Sequence, residues 1–142
     1  MAHYSYLDPS FEVSDMLGKT FVSVGKLKDD QIVFVADNGD QYAFYHGQEC
    51  CESVTVKDIV GELSDLEGYP LLEAEEVSKS GDGDGLPHDP DNEWHTNYGS
   101  HTWTFYKFAT IKGHVNISWH GESNGYYSET VDKALVVANA AL

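Results

Sequence analysis

Three stretches of this 142-residue chain hold the residue types that could do chemistry. The first is Ser80 to Tyr98, SGDGDGLPHDPDNEWHTNY, which gathers Asp82, Asp84, His88, Asp89, Asp91, Glu93 and His95. Oxygen ligands on a Gly-rich turn suit calcium, and two histidines with an aspartate suit zinc or manganese, as in a hydrolase built on His88, Asp91 and His95. The spacing argues against both. A calcium loop begun at Asp82 needs an oxygen ligand where Leu86 stands and a glycine where Pro87 stands. His88 and His95 lack the one-turn spacing of a helical zinc pair. The stretch therefore reads as an acidic, solvated loop, and the sequence calls for no metal and no cofactor.

The second stretch is the adjacent pair Cys50 and Cys51, flanked by His46, Glu49, Glu52 and Ser53. Successive residues of a strand face opposite ways, so the two thiols do not converge on one ion unless the strand bulges. Nearby carboxylates raise a thiol's pKa and weaken it as a nucleophile. Buried, structural thiols in a reducing compartment are the expectation. The third stretch, Gly121 to Glu129, reads GESNGYYSE and offers neutral hydrogen-bonding groups beside flat rings. Sites for nucleobases and sugars are lined that way, although a plain hairpin turn with tyrosines packed across strands accounts for the same residues. No GxSxG, GxGxxG, Walker loop or zinc CxxC pair occurs, so no standard catalytic or phosphate-cradling motif is present.

Extended segments must position these residues. From Thr102 to Ile111, Trp103, Phe105, Ala109 and Ile111 fall on one side of a strand, and Thr104, Tyr106, Phe108 and Thr110 on the other. Lys112-Gly113 predicts a tight turn, and Val115, Ile117 and Trp119 then alternate with polar residues as a second strand. Asn124-Gly125 predicts a hairpin into a third strand through Tyr126, Tyr127, Thr130 and Val131. Strands near 20–28, 31–37 and 40–46 form a second meander around Asn38-Gly39. SVTVKDIV and LLEAEEVSKS add two more, with a short helix at Ile59, Leu63 and Leu66 between them. The fold class expected is β-rich α+β, a single domain of antiparallel meanders forming a twisted sheet or sandwich with one or two short helices. It divides into an N-terminal arm at 1–16, a domain at 17–137 with a long acidic loop at 79–100, and a tail at 138–142.

Charge narrows the partners. The formal net charge is -16, with 24 carboxylates against eight lysines and no arginine. Affinity for DNA, RNA or anionic lipid comes largely from Lys and Arg on phosphates, so direct nucleic-acid and membrane binding are not expected. No window is long and apolar enough to span a bilayer, and no signal peptide is evident. Most of the carboxylates fall between Glu49 and Glu93, against only Lys57 and Lys79 there. That surplus is either a solvated face or a surface imitating a polyphosphate.

FYHGQECCESVTVKDIVGELSDLEGYPLLEAEE, followed by HTWTFYKFATIKGHVNISWHGESNGYYSE, resembles an uncharacterised family of small proteins encoded by bacteriophages and prophages. The residues that carry the resemblance are Tyr45, His46, Cys50, Cys51, Glu52, Ser53, Asp65, Leu66, Trp103 to Tyr106 and Ser123 to Glu129, over residues 17 to 132. The resemblance brings no established activity. It implies residence in the cytoplasm of an infected bacterial host and a counter-defence role, by sequestering a host nucleotide signal or by covering a host protein's nucleic-acid surface. The expected reading is thus a protein without turnover that holds a small ligand in an aromatic pocket lined by Trp103, Tyr106, Ser123, Asn124, Tyr126 and Tyr127. Lys107 or Lys112 would meet an anionic group, with His46 and Glu52 nearby. The alternative is an acidic DNA or RNA mimic, acting through Glu73, Glu75 and Glu76, that binds a basic host defence protein. Either is compatible with a homo-oligomer.

Overall fold

The computed structural model describes residues 9–28, 30–48, 51–82, 100–123 and 128–138. Eight strands make up most of it: β1 (Phe21–Leu27), β2 (Gln31–Ala36), β3 (Gln41–Tyr45), β4 (Ser53–Val60), β5 (Glu73–Asp82), β6 (Ser100–Thr110), β7 (Gly113–Ser123) and β8 (Asp132–Val136). Two short 3-10 turns are present, Val13–Met16 and Leu63–Leu66, the second of them where the short helix was expected. All strand pairs are antiparallel, and they form two four-stranded sheets in the orders β1-β2-β3-β8 and β4-β7-β6-β5. The two sheets stack, and their inner faces interdigitate as in other β-sandwiches.

The core follows from period-two patterning. Phe21, Val24, Ile32, Phe34, Tyr42 and Phe44 from the first sheet meet Val54, Val56, Ala74, Tyr106, Phe108, Val115, Ile117 and Trp119 from the second. Rings of the two sheets touch directly: Phe34 to Phe108 at 4.9 Å and Phe44 to Tyr106 at 4.9 Å between centroids. Such pairs add roughly 0.5–1.5 kcal/mol each beyond area burial. Phe11, Val13 and Met16 also lie in this core, with Phe11 edge-on to Tyr42 and Phe44. The arm expected over residues 1–16 is therefore part of the packed domain from Phe11 onward. Leu66 on the second 3-10 turn is fully buried, whereas Ile59, expected on the same helix, belongs to β4.

The Asn38-Gly39 hairpin forms as expected, closed by Ala36 N–H to Asp40 O at 2.8 Å, with Gly39 at φ +92°. The third strand expected after Asn124-Gly125 does not join β6 and β7. The chain instead crosses to the other sheet, where β8 pairs with β3. The reason is steric. β7 already has β4 on one edge and β6 on the other, so neither side can accept another strand. At the sandwich edge, Glu76 of β5 accepts from Tyr106 Oη at 2.6 Å and from Lys133 Nζ of β8 at 2.8 Å, tying the sheets together. Burial and the Glu76 carboxylate push the Tyr106 phenol well above its ordinary pKa.

Candidate functional site

Polar side chains concentrate at one end of the sandwich, on both faces of the second sheet. Alternation along β6 and β7 sends Ser100, Thr102 and Ser123 inward and His101, Trp103, Phe105, His120 and Glu122 outward. Register aligns them, since Ser100 pairs with Ser123, His101 with Glu122 and Trp103 with His120.

On the outer face, His101 Nδ1 lies 3.1 Å from His120 Nε2, so one ring donates a proton that the other accepts. Glu122 Oε2 is 3.9 Å from His101 Nδ1. All three side chains are buried, although they lie on the side of the sheet away from the core. The Trp103 ring tilts against His120 at 4.6 Å and stacks with Phe105 at 6.0 Å, the two planes 6° apart. Trp103 and Phe105 are half-buried, whereas Lys79, opposite Trp103, and Lys107 are exposed.

On the inner side, the segment at 128–131 lies over β6 and β7. Glu129 accepts from Thr102 Oγ1 at 2.7 Å, from Ser123 Oγ at 2.5 Å and from Ser100 Oγ. Ser80 Oγ is 2.9 Å from Thr102 Oγ1 and extends the hydroxyl cluster to β5. Gly121 permits this close approach, because a Cβ there would stand 2.7 Å from Glu129 O. The next residue is held from the other sheet: His46 Nδ1 donates to Thr130 O at 2.8 Å, and His46 Nε2 lies 2.8 Å from Glu52 Oε2. A carbonyl only accepts, so Nδ1 carries a proton, and a second proton lies between Nε2 and Glu52. Both nitrogens of His46 are thereby engaged, which makes it a clasp between segments and leaves no lone pair for a substrate.

The nine residues expected to line one site are divided by the fold. Trp103 and Lys107 are on the outer face, Tyr106 is 1% exposed in the core, and Ser123, His46 and Glu52 are buried at the inner end. Tyr106 and Ser123 therefore share no wall with Trp103: Tyr106 has the opposite parity along β6, and Ser123 on β7 pairs with Ser100, which also faces inward. His46 and Glu52 do come together, but with each other. Asn124, Tyr126 and Tyr127 lie outside the described residues, as do Cys50 and the loop carrying His88, Asp91 and His95. Cys51 is exposed and disulfide-bonded, which corrects the expectation of a buried free thiol. Sequence reasoning missed His101, His120, Glu122 and Glu129 as a group. Parity along β6 and β7 would have placed the first three beside Trp103, whereas only the tertiary fold brings Glu129 to the hydroxyls.

Among the described residues, no group of three or more His, Cys, Asp or Glu is arranged to hold a metal ion, and no helix is long and apolar enough to cross a membrane. Compared with curated proteins and with solved structures, the chain matches none. A family profile does match, over residues 14–133 and so across the whole sandwich up to the start of β8. On that match the chain belongs to the DUF7448 family, a domain of unknown function.

Proposed function

We propose that this chain is a binding protein without catalytic turnover, which holds a small, nucleotide-derived ligand against the outer face of its second sheet. One observation carries the reading: Trp103 and Phe105 present parallel rings 6.0 Å apart on that face, half-buried, with His120 against the indole. A flat aromatic surface beside buried imidazoles suits a planar heterocycle, because stacking supplies affinity and ring nitrogens supply orientation. Relative to the expected site, Trp103 and Lys107 stay in the reading, and Phe105, His101 and His120 join them. On this reading the paired-cysteine and SNGYYSE segments mark a bacteriophage and prophage lineage within the family. The protein then works in the cytoplasm of the infected host, and sequestering a nucleotide immune signal is its counter-defence role.

Among the described residues, the arrangement of the middle carboxylates does not favour the acidic-mimic alternative. Glu52 is buried on His46, Glu67 accepts from the Val24 amide at 2.9 Å, and Glu76 is bound by Lys133 and Tyr106. Glu73 and Glu75 face outward beside Lys107 on a different side from Glu76, so the three do not form one phosphate-like row.

Isothermal calorimetry with mononucleotides, cyclic dinucleotides and ADP-ribose derivatives tests the proposal. Heat that disappears in Trp103→Ala supports it; silence from the whole panel with the wild-type protein ends it.

A further inference from the structure

We infer that the outer face takes a ligand with two bases joined through phosphate, and not a mononucleotide. This rests on the reading of that face as the ligand site and adds the class of ligand. Trp103 and Phe105 are alternate residues of one strand, so the pleat sets both rings on the same side, 6.0 Å apart and 6° from parallel. That spacing exceeds the roughly 3.4 Å rise of one nucleotide on the next in a helix, so each ring receives its own base, splayed from its neighbour. Four-stranded sheets that bind single-stranded nucleic acid carry outward aromatics on adjacent positions for that purpose, with cations tracking the phosphates.

The cations are present. Of eight lysines in a chain of net charge -16, Lys79 stands directly across from Trp103, and Lys107 lies two residues beyond Phe105 on the same face. Lys57 occupies the irregularity in β4 where its register against β7 shifts. Lys79 and Lys107 form no ion pair among the described residues. The cross-strand row through Trp103 reads Thr55, His120, Trp103, Lys79 and contains no carboxylate. Among the described residues, the carboxylates on this face are Glu75 opposite Lys107, Glu73 opposite Ala109, Asp58 opposite Ser118, and the buried Glu122. A bridging phosphate therefore belongs at the Trp103 end, beside Lys79. The surplus acid elsewhere does not abolish this preference, because charges beyond roughly 8 Å are largely screened at physiological salt.

The test compares a linear adenylate dinucleotide (pApA) with adenosine monophosphate by calorimetry at two salt concentrations. The dinucleotide is expected to bind at least about tenfold more tightly, and Trp103→Ala and Phe105→Ala are each expected to weaken it by about tenfold. Lys79→Gln is expected to flatten the salt dependence of dinucleotide binding. Phe105→Leu keeps apolar volume without the aromatic face and replaces Phe105→Ala if circular dichroism shows the alanine variant unfolded. Equal affinity for the two probes, or dinucleotide binding indifferent to Phe105, overturns the two-base inference and leaves a one-ring site standing. No binding of either probe overturns this inference, and silence across the wider panel as well overturns the parent reading.

Discussion

The two faces of β6 carry the same ring geometry. On the inner face Tyr106 and Phe108 stack at 6.0 Å and 6°; on the outer face Trp103 and Phe105 stack at 6.0 Å and 6°. The inner pair is met by Phe34 and Phe44 from the opposite sheet and is 1% exposed at both residues. The outer pair meets His120 and is left half-buried, with lysines at its margin. Identical strand geometry therefore yields a core ladder where the other sheet covers it and a half-buried ring pair on the face turned away from that sheet. The polar groups divide likewise. Inward hydroxyls saturate one carboxylate, Glu129, and anchor a crossing segment, whereas outward imidazoles share protons beside an accessible ring.

Each prediction presses on this division, beginning with the largest effect. Phe108→Ala removes a ring packed between the sheets and should lower stability by about 3–5 kcal/mol. Trp103→Ala should lower it by less than half as much in the same urea titration. Equal losses would make the outer ladder structural too and break the comparison.

Glu129→Ala strands the hydroxyls of Ser100, Thr102 and Ser123, and about 2–3 kcal/mol should be lost. Urea denaturation measures the loss, and binding to the outer face should change little if the two faces are independent. Gly121→Ala places a methyl against the Glu129 backbone, where only a main-chain shift relieves it, and about 2 kcal/mol is expected. Because both changes act on one crossing segment, the double variant should lose less than the sum of the two. Strict additivity would separate Gly121 from the clasp.

The smallest effect concerns Tyr106. Its phenol, raised in the folded state by burial and then by Glu76, keeps its proton where the unfolded chain loses it, above about pH 10. The folded state then binds the extra proton, so its contribution is complete below that pH and falls as pH rises further. Tyr106→Phe should cost about 1 kcal/mol at neutral pH and flatten the alkaline fall in urea midpoint. An unchanged alkaline slope would assign that fall to other groups.

Much of the secondary structure was legible because it rests on local rules. Asn38-Gly39 marked a hairpin, and alternation from Thr102 onward assigned Trp103 and Tyr106 to opposite faces before any sheet was known. What failed did so for want of distance information. Placing Ser123 in one pocket with Trp103 ignored that residues on adjacent strands share a face only as the register sets them, and Ser123 aligns with Ser100, not with His101; Tyr106 was excluded from that pocket by alternation alone. His46 and Glu52 lie six residues apart, yet the carbonyl that accepts from His46 Nδ1, Thr130 O, comes from 84 residues away and leaves no local trace.

The amino-acid order alone determined a β-rich chain, its Asn38-Gly39 hairpin, the two-sided character of β6 and the acidity of the middle segment, because each depends on neighbours within a few residues. The tertiary structure alone decided which side of β6 would be roofed, that β8 would leave β7 for β3, and that Glu129 would settle among three hydroxyls. Those outcomes depend on which sheet edges are already occupied and on how closely backbones can approach, as at Gly121, and neither quantity is written in any short stretch of the chain.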